Sequence, residues 1–298
     1  MPISALVAID GSDASRHTSR YAVRLARALP LEISLVHAVR LDRIEYRMIP
    51  DFQVEMIAEG ARRQAQGLLD REGEFFREHG VEVRETLHIG EPAKVICDVA
   101  DGEGSDLVIV GRRGRGELHD LVFGSVCNHV MHNCNRPVVI VRQNVGSPPE
   151  GGEGAPVKVL VALDEGPASR RCLDYLGGLA PAAKEGLRLS LVYVVNRGQA
   201  GLLELPNNAR YEAVDSIRSS GEAVLHDASQ RLRADGYTVE VRIEEGSVGR
   251  TLCRVAEEER HELVLIGRRG ASELGMHGFG AVSQYVSHHC GCHAWLSP

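Results

Sequence analysis

Short runs of aliphatic and β-branched residues alternate with longer stretches in which apolar positions recur every three or four residues, and the alternation runs twice along the 298-residue chain. Uninterrupted apolar runs such as LVIV (107–110) and LVLI (263–266) suit strands buried on both faces, as in a parallel sheet covered by helices. In the first half the pattern predicts strands near 3–10, 31–38, 81–87, 106–111 and 137–142, with helices near 13–29, 52–79, 92–101 and 124–134. Helix 13–29 lines up Thr18, Ala22, Leu25, Ala26 and Leu29 on one face, the spacing of a helix that packs on a sheet. The second half follows suit, although its last strand, HAWLS, is short and poorly matched to PVVIV of the first half. The expected fold class is α/β: two domains, each a five-stranded, mostly parallel sheet with helices on both faces.

The repetition is visible residue by residue. ALVAIDGSDAS (Ala5 to Ser15) returns 154 positions later as VLVALDEGPAS (Val159 to Ser169). GEPAKVICDVADGEGSDLVIVGRRGRGELHDLVFGSV (Gly90 to Val126) aligns without a gap, at an offset of 156, with GSVGRTLCRVAEEERHELVLIGRRGASELGMHGFGAV (Gly246 to Val282). Between the copies, QNVGSPPEGGEGAP (Gln143 to Pro156) is too rich in Gly and Pro for a helix or a central strand. The expected organisation is a first domain over 1–143, a linker over 144–156 and a second domain over 157–298. The two copies are expected to pack as a pseudo-dimer within one chain, with the apolar PVVIVR strand as an edge for that contact or for further self-association.

Composition narrows the function classes. Hydrophobic residues at 43% and charged residues at 25% describe an ordinary globular chain, and 34 Lys+Arg against 41 Asp+Glu leaves a net charge of −7. An acidic balance argues against a protein built to neutralise nucleic-acid phosphates. No run approaches the ~18 apolar residues of a membrane span, and no basic region precedes the first apolar stretch, so a cytoplasmic location is expected. Seven cysteines (97, 127, 134, 172, 253, 290 and 292) contain no CxxC pair and read as reduced thiols.

Candidate chemistry gathers at the end of the fourth strand. Gly111-Arg-Arg-Gly114 is followed by nine residues and then by Gly124-Ser125 at a helix start. In open α/β sheets ligands sit beyond the carboxyl ends of the strands. Glycines there permit positive φ and bring backbone N–H groups close to an anion, while Gly124 and Ser125 present the positive end of a helix dipole. Arg112, Arg113 and Arg115 add charge and Ser125 adds a hydroxyl, so phosphate is the expected guest. The second copy repeats the frame as Gly267-Arg-Arg-Gly270, nine residues, Gly280-Ala281, but it lacks the hydroxyl and has Gly166-Pro167 where the first has Ser12-Asp13. Asp10 and Asp164 end the first strand of each copy, placed to accept from a ribose hydroxyl, to order a metal-phosphate group, or to cap the next helix.

A strand ending in Asp10, the Gly111-x2-Gly114-x9-Gly124-Ser125 spacing and the β/α alternation together resemble the universal stress protein family in its tandem form, over all of the chain except the linker. The resemblance implies a flavodoxin-like, adenine-nucleotide-binding α/β domain and a role in stress response or signalling. It further implies ATP, with or without Mg²⁺, in the first domain. Adenosine would then meet Ala8, Asp10 and Ala38, and the phosphates would meet Gly111, Arg112, Arg113, Gly114, Arg115, Gly116, Glu117, Ser125, Val126 and Cys127, with Gly124 at the turn. The corresponding second site would comprise Asp164, Val194, Gly267, Gly270, Gly280, Ala281 and Ser283. Ala8 and Ala162 stand where the family commonly has proline. Alternatives from other classes are a slow ATP hydrolase and a receptor for a non-nucleotide ligand or partner protein. Against an enzyme stand the absence of GxxxxGK[ST], of GxGxxG after the first strand and of lysine in the glycine loop.

Three further groups read as structural. His288, His289, Cys290, Cys292 and His293 invite zinc, but they lack a second paired element, and His132 and Cys134 match His288 and Cys290 as a shared helix-end feature. No metal site is expected. Cys97 and Cys253 match within an apolar stripe and read as small buried hydrophobes. His37, with Tyr193 as its counterpart, reads as packing. The unlike loops 41–50 and 196–206 are expected to lie over the crevices and to set any difference in ligand.

Overall fold

A computed structural model describes residues 2–40, 51–113, 123–143, 145, 154–196, 198, 206–268 and 280–297. Two compact units divide the chain, one comprising Pro2–Arg27 and Leu31–Gln143 and the other Asn144–Pro298 together with the short segment Ala28–Pro30. The first contains β1 (Ile3–Ala8), α1 (Asp13–Ala28), β2 (Leu31–Val39), α2 (Asp51–Glu78), β3 (Val83–Ile89), α3 (Pro92–Gly102), β4 (Leu107–Gly111), α4 (Ser125–Asn133) and β5 (Val138–Val141). The second contains β6 (Val157–Leu163), α5 (Pro167–Gly178), α6 (Pro181–Glu185), β7 (Leu187–Val195), α7 (Asn207–Ala234), β8 (Thr238–Glu245), α8 (Val248–Glu258), β9 (Leu263–Gly267), α9 (Ala281–His289) and β10 (His293–Ser297).

Every strand pairing within each unit is parallel. β1 lies between β2 and β4, with Ala5 paired to Ile33 on one side and to Leu107 on the other. β3 flanks β2, and β5 flanks β4. The order β3-β2-β1-β4-β5 reverses direction between β1 and β4, the switch point where ligands enter such sheets. The second unit repeats the order as β8-β7-β6-β9-β10. α6 has no counterpart in the first unit. It lies in the segment where the repeat offset grows from 154 to 156, so a two-residue insertion suffices to start it, with Pro181 at its first turn.

The elements form where the pattern places them because their apolar positions have one face to fill. On α1, Thr18, Ala22 and Leu25 are buried as expected, whereas Ala26 is only half-buried. Leu6, Leu25, Leu35, Ile109 and Ile140 are fully buried in the first unit, each contributing about 1.5–3 kcal/mol on removal from water. The second half of α2 supplies Leu68, Leu69 and Phe76 to this core, while its first half leaves Met56 67% exposed. α3 is capped by Glu91, whose carboxylate accepts from the Lys94 N–H at 3.0 Å, and Pro92 occupies the first turn. Among the described residues no helix is long and apolar enough to cross a membrane.

Candidate nucleotide site

The carboxyl ends of β1, β2 and β4 open into a cavity of about 630 Å³. Of the residues singled out in the sequence, Ala8, Asp10, Ala38, Gly111, Arg113, Gly124, Ser125, Val126 and Cys127 all line it. Arg112 does not. Its side chain is buried with the guanidinium 5.1 Å over the Phe123 ring, so it supports the loop end from beneath. Gly114, Arg115, Gly116 and Glu117, like the loop 41–50, lie outside the described residues.

Backbone chemistry at the rim differs from the expectation in two respects. Gly111 and Gly124 do not adopt positive φ. Gly111 is required by crowding instead, because a Cβ there would stand 2.9 Å from Thr18 Oγ1, which is itself fixed by donation to the Ala14 carbonyl. The Gly124 N–H also faces no ligand, since it donates to the Arg112 carbonyl at 3.0 Å. That bond, with the Arg112 N–H on the Val141 carbonyl, anchors the start of α4 to the ends of β4 and β5. No side chain caps α4, so the amides of Ser125, Val126 and Cys127 form its positive terminus at the cavity wall. The Cys127 thiol itself is held protonated: burial pushes it up to about 12, although Arg112 pulls the other way.

Asp10 is not the helix cap. Ser12 performs that task, its hydroxyl accepting from the Ser15 N–H at 3.1 Å. Asp10 shapes the turn, with Oδ1 accepting from the Ser12 N–H at 2.9 Å and its own N–H donating to Ser15 Oγ at 3.1 Å, while Gly11 takes φ 77°. Asp10 is the one carboxylate in the described lining, and Arg40 and Arg113 are its cations.

The remaining wall went unread in the sequence. Ala61, Gln64, Ala65 and Leu68 of α2 face the cavity at i, i+3, i+4, i+7 spacing, and Pro92 and Ile96 of α3 complete the apolar side. His37 is buried to 8% exposure and also lines the cavity. Its Nδ1 lies 2.8 Å from the Ile9 carbonyl, which only accepts, so Nδ1 carries the proton.

In the second domain the equivalent hollow measures about 110 Å³. Asp164, Gly267, Gly280, Ala281 and Ser283 line it, Val194 does not, and Gly270 lies outside the described residues. The frame is preserved: the Gly280 N–H donates to the Arg268 carbonyl at 2.7 Å, and the Gly166 N–H donates to Asp164 Oδ1 at 2.8 Å. Two replacements on the α2 side accompany the smaller volume: Ile217 stands at the counterpart of the cavity-lining Ala61, and a ring stands at the counterpart of His37. Tyr193 replaces His37, and Gly221 replaces Ala65 at the same offset of 156. A Cβ on Gly221 would sit 2.5 Å from Tyr193 Cδ1, so the tyrosine ring occupies the space of the missing methyl. Burial, with help from Glu165 and Asp164, pushes the Tyr193 hydroxyl pKa upward.

Comparison with known proteins follows this geometry. The model of the universal stress protein family matches residues 4–142 and again 157–298. Universal stress protein YxiE of Bacillus subtilis is 34% identical over 145 residues, 46% of this chain and 97% of that protein. A universal stress protein of Mycolicibacterium smegmatis is 25% identical over 291 residues, 95% of this chain and 92% of its own. A universal stress protein structure from Archaeoglobus fulgidus shares the fold with a TM-score of 0.68 at 19% identity, covering 99% of this chain and 97% of that one. With the family pattern matched twice, and with the same strand order and glycine frame built in each half, the chain belongs to the universal stress protein family and carries two copies of its domain.

Proposed function

We propose that the first domain binds ATP and that the protein acts in stress response through that occupancy rather than as a fast catalyst. The observation that carries this reading is the 630 Å³ cavity at the switch point, within the ~300–1,000 Å³ range of small-molecule pockets and lined by residues of the strand ends, the glycine frame and the start of α4. Its two ends differ as the two ends of a nucleotide do. Ala38, Ala61, Ala65, Leu68 and Ile96 offer an apolar wall to a base, with Asp10 beside it for ribose hydroxyls. The uncapped start of α4 and Arg113 meet the phosphates, joined in this reading by Gly114 to Glu117. Asp10 is also the carboxylate that would hold Mg²⁺ through the phosphates. The second domain, with its adenosine side filled by Tyr193, is a site of different capacity.

Fluorescent ATP titrated against the whole chain and against Gly124→Asp tests this reading. Binding to the parent and its loss in the variant is the expected outcome, because a carboxylate would then stand at the helix start. Undiminished binding by the variant excludes the site. Phosphate release measured alongside, with and without Asp10→Ala, separates a binding module from a slow hydrolase: turnover that depends on Asp10 would favour the enzyme.

A further inference from the structure

We infer that Cys290 and Cys292 form a reversible dithiol–disulfide site in the second domain. The two sulfurs lie 3.2 Å apart, on either side of Gly291 in the turn that joins α9 to β10. A disulfide bond is about 2.05 Å long, so closing it asks for a movement of about 1.2 Å within one turn. Cys290 is 0% and Cys292 3% exposed, while Gly291 between them is exposed, so the pair sits directly under the surface.

Comparison of the copies shows what was exchanged to make the pair. The first domain has Cys134-Asn135-Arg136 at this turn. There Asp101, at the end of α3, holds both following side chains, with Arg136 Nε at 3.1 Å and Asn135 Nδ2 at 2.9 Å. In the second domain Glu257 takes the place of Asp101 and accepts instead from the Gly291 N–H at 3.1 Å. A Cβ at 291 would stand 2.7 Å from that carboxylate oxygen, so glycine belongs to the new arrangement. An ion-pair clamp has been replaced by a clamped backbone carrying a second thiol. Metal binding fits less well, because among the described residues no group of three or more His, Cys, Asp or Glu could hold an ion.

The oxidant class is a low-molecular-weight disulfide, RSSR. Cys292, the less buried thiol, attacks as the thiolate, forming a mixed disulfide and expelling RS⁻. The Cys290 thiolate then attacks the Cys292 sulfur and expels the second RS⁻. The two protons of the cysteines end on the two RSH, so two electrons pass from protein to oxidant. A bridge across a single intervening residue is strained, which places it among labile, readily reduced disulfides rather than permanent ones.

Equilibrating the whole chain in reduced and oxidised glutathione, alkylating the remaining thiols and mapping peptides by mass spectrometry tests the site. The expected result is a loss of 2 Da confined to the peptide holding Cys290 and Cys292, while the other five cysteines stay alkylated and dithiothreitol restores the mass. Cys253→Ser should leave that loss intact, and Cys292→Ser should abolish it and leave a glutathione adduct or a free thiol. A bridge from Cys290 to Cys253, or alkylation of Cys290 and Cys292 at every glutathione ratio that oxidises any other cysteine, would overturn the inference. Because the unmodified chain is read directly, misfolding of a variant does not blunt the test.

Discussion

The two crevices of this chain share a backbone frame and differ nearly sixfold in volume, about 630 Å³ against about 110 Å³. In both, the helix after the glycine loop starts at a glycine whose N–H bonds the arginine carbonyl at the end of the fourth strand, and in both a carboxylate at the first strand closes a turn through a backbone N–H. The duplicated glycines therefore report how strand ends and helices meet, and their retention does not measure the space left for a ligand. Across the crevice the copies do differ: His37, Ala61 and Ala65 give way to Tyr193, Ile217 and Gly221, and the Tyr193 ring lies against Gly221. The room a methyl would take at Gly221 is occupied by the Tyr193 ring, so the glycine leaves no added space there.

Exchanging these pairs gives the strongest test. His37→Tyr with Ala65→Gly should fill the first cavity and weaken the proposed ATP binding on the order of 1,000-fold, about 4 kcal/mol, read by calorimetry. Tyr193→His with Gly221→Ala should open the second and add nucleotide capacity; unchanged stoichiometry would show that the ring is not what separates the copies.

A second contrast lies at the opposite end of the sheet, where His261 stands in place of Ser105. His261 is 5% exposed, its Nε2 lies 2.9 Å from Ser190 Oγ, and burial, aided by Lys158, lowers its pKa to about 4 from the ordinary 6.5. The unfolded chain thus binds the proton more readily than the folded one. Stability is whole above pH 6.5, is lost as pH falls from 6.5 toward 4, and levels off below, by up to about 3 kcal/mol. Urea unfolding followed through Trp295, the one tryptophan and a resident of the second domain, should show this slope in the parent and lose it in His261→Ser.

Smaller effects sharpen the glycine comparison. A Cβ at Gly267 would lie 2.4 Å from Ala168 Cβ, whereas the nearest neighbour at Gly111 is Thr18 Oγ1 at 2.9 Å. Alanine should therefore destabilise more at 267 than at 111, within about 1–3 kcal/mol, as measured by denaturant midpoints. Arg136→Ala, which removes a partly exposed partner of Asp101, should cost the first domain only about 0.5 kcal/mol by the same measurement.

What the sequence disclosed and withheld divides along physical lines. Strands, helices and the repeat are local or periodic properties, so LVIV, LVLI and the helix face of Thr18, Ala22 and Leu25 could be read directly. Ala8, Asp10, Ala38, Gly111 and the first residues of α4 line one cavity because they stand at strand ends and a helix start, positions the pattern also locates. Ala61, Gln64, Ala65 and Leu68 carried a readable helical stripe, but nothing local says that this stripe faces a void rather than a packed core. At the end of an apolar strand His37 reads as packing, and it both packs and lines the cavity. Arg112 and Arg113 are chemically identical neighbours whose fates diverge because one side chain lies over Phe123 and the other lines the cavity. Asp10 competed on paper for the helix cap, a place that Ser12 takes because it stands one residue before α1.

The central position of β1 bears on how the cavity comes into being. Its contact with β4 is long-range: the Ser4 N–H reaches Asp106 across 102 positions of chain. Closing so large a loop costs more entropy than forming a local turn, and pairings of this kind slow folding. If the floor beneath Asp10 and Gly111 forms after the folding transition state, added nucleotide should slow unfolding of the first domain while leaving its refolding rate almost unchanged, as stopped-flow unfolding and refolding would show.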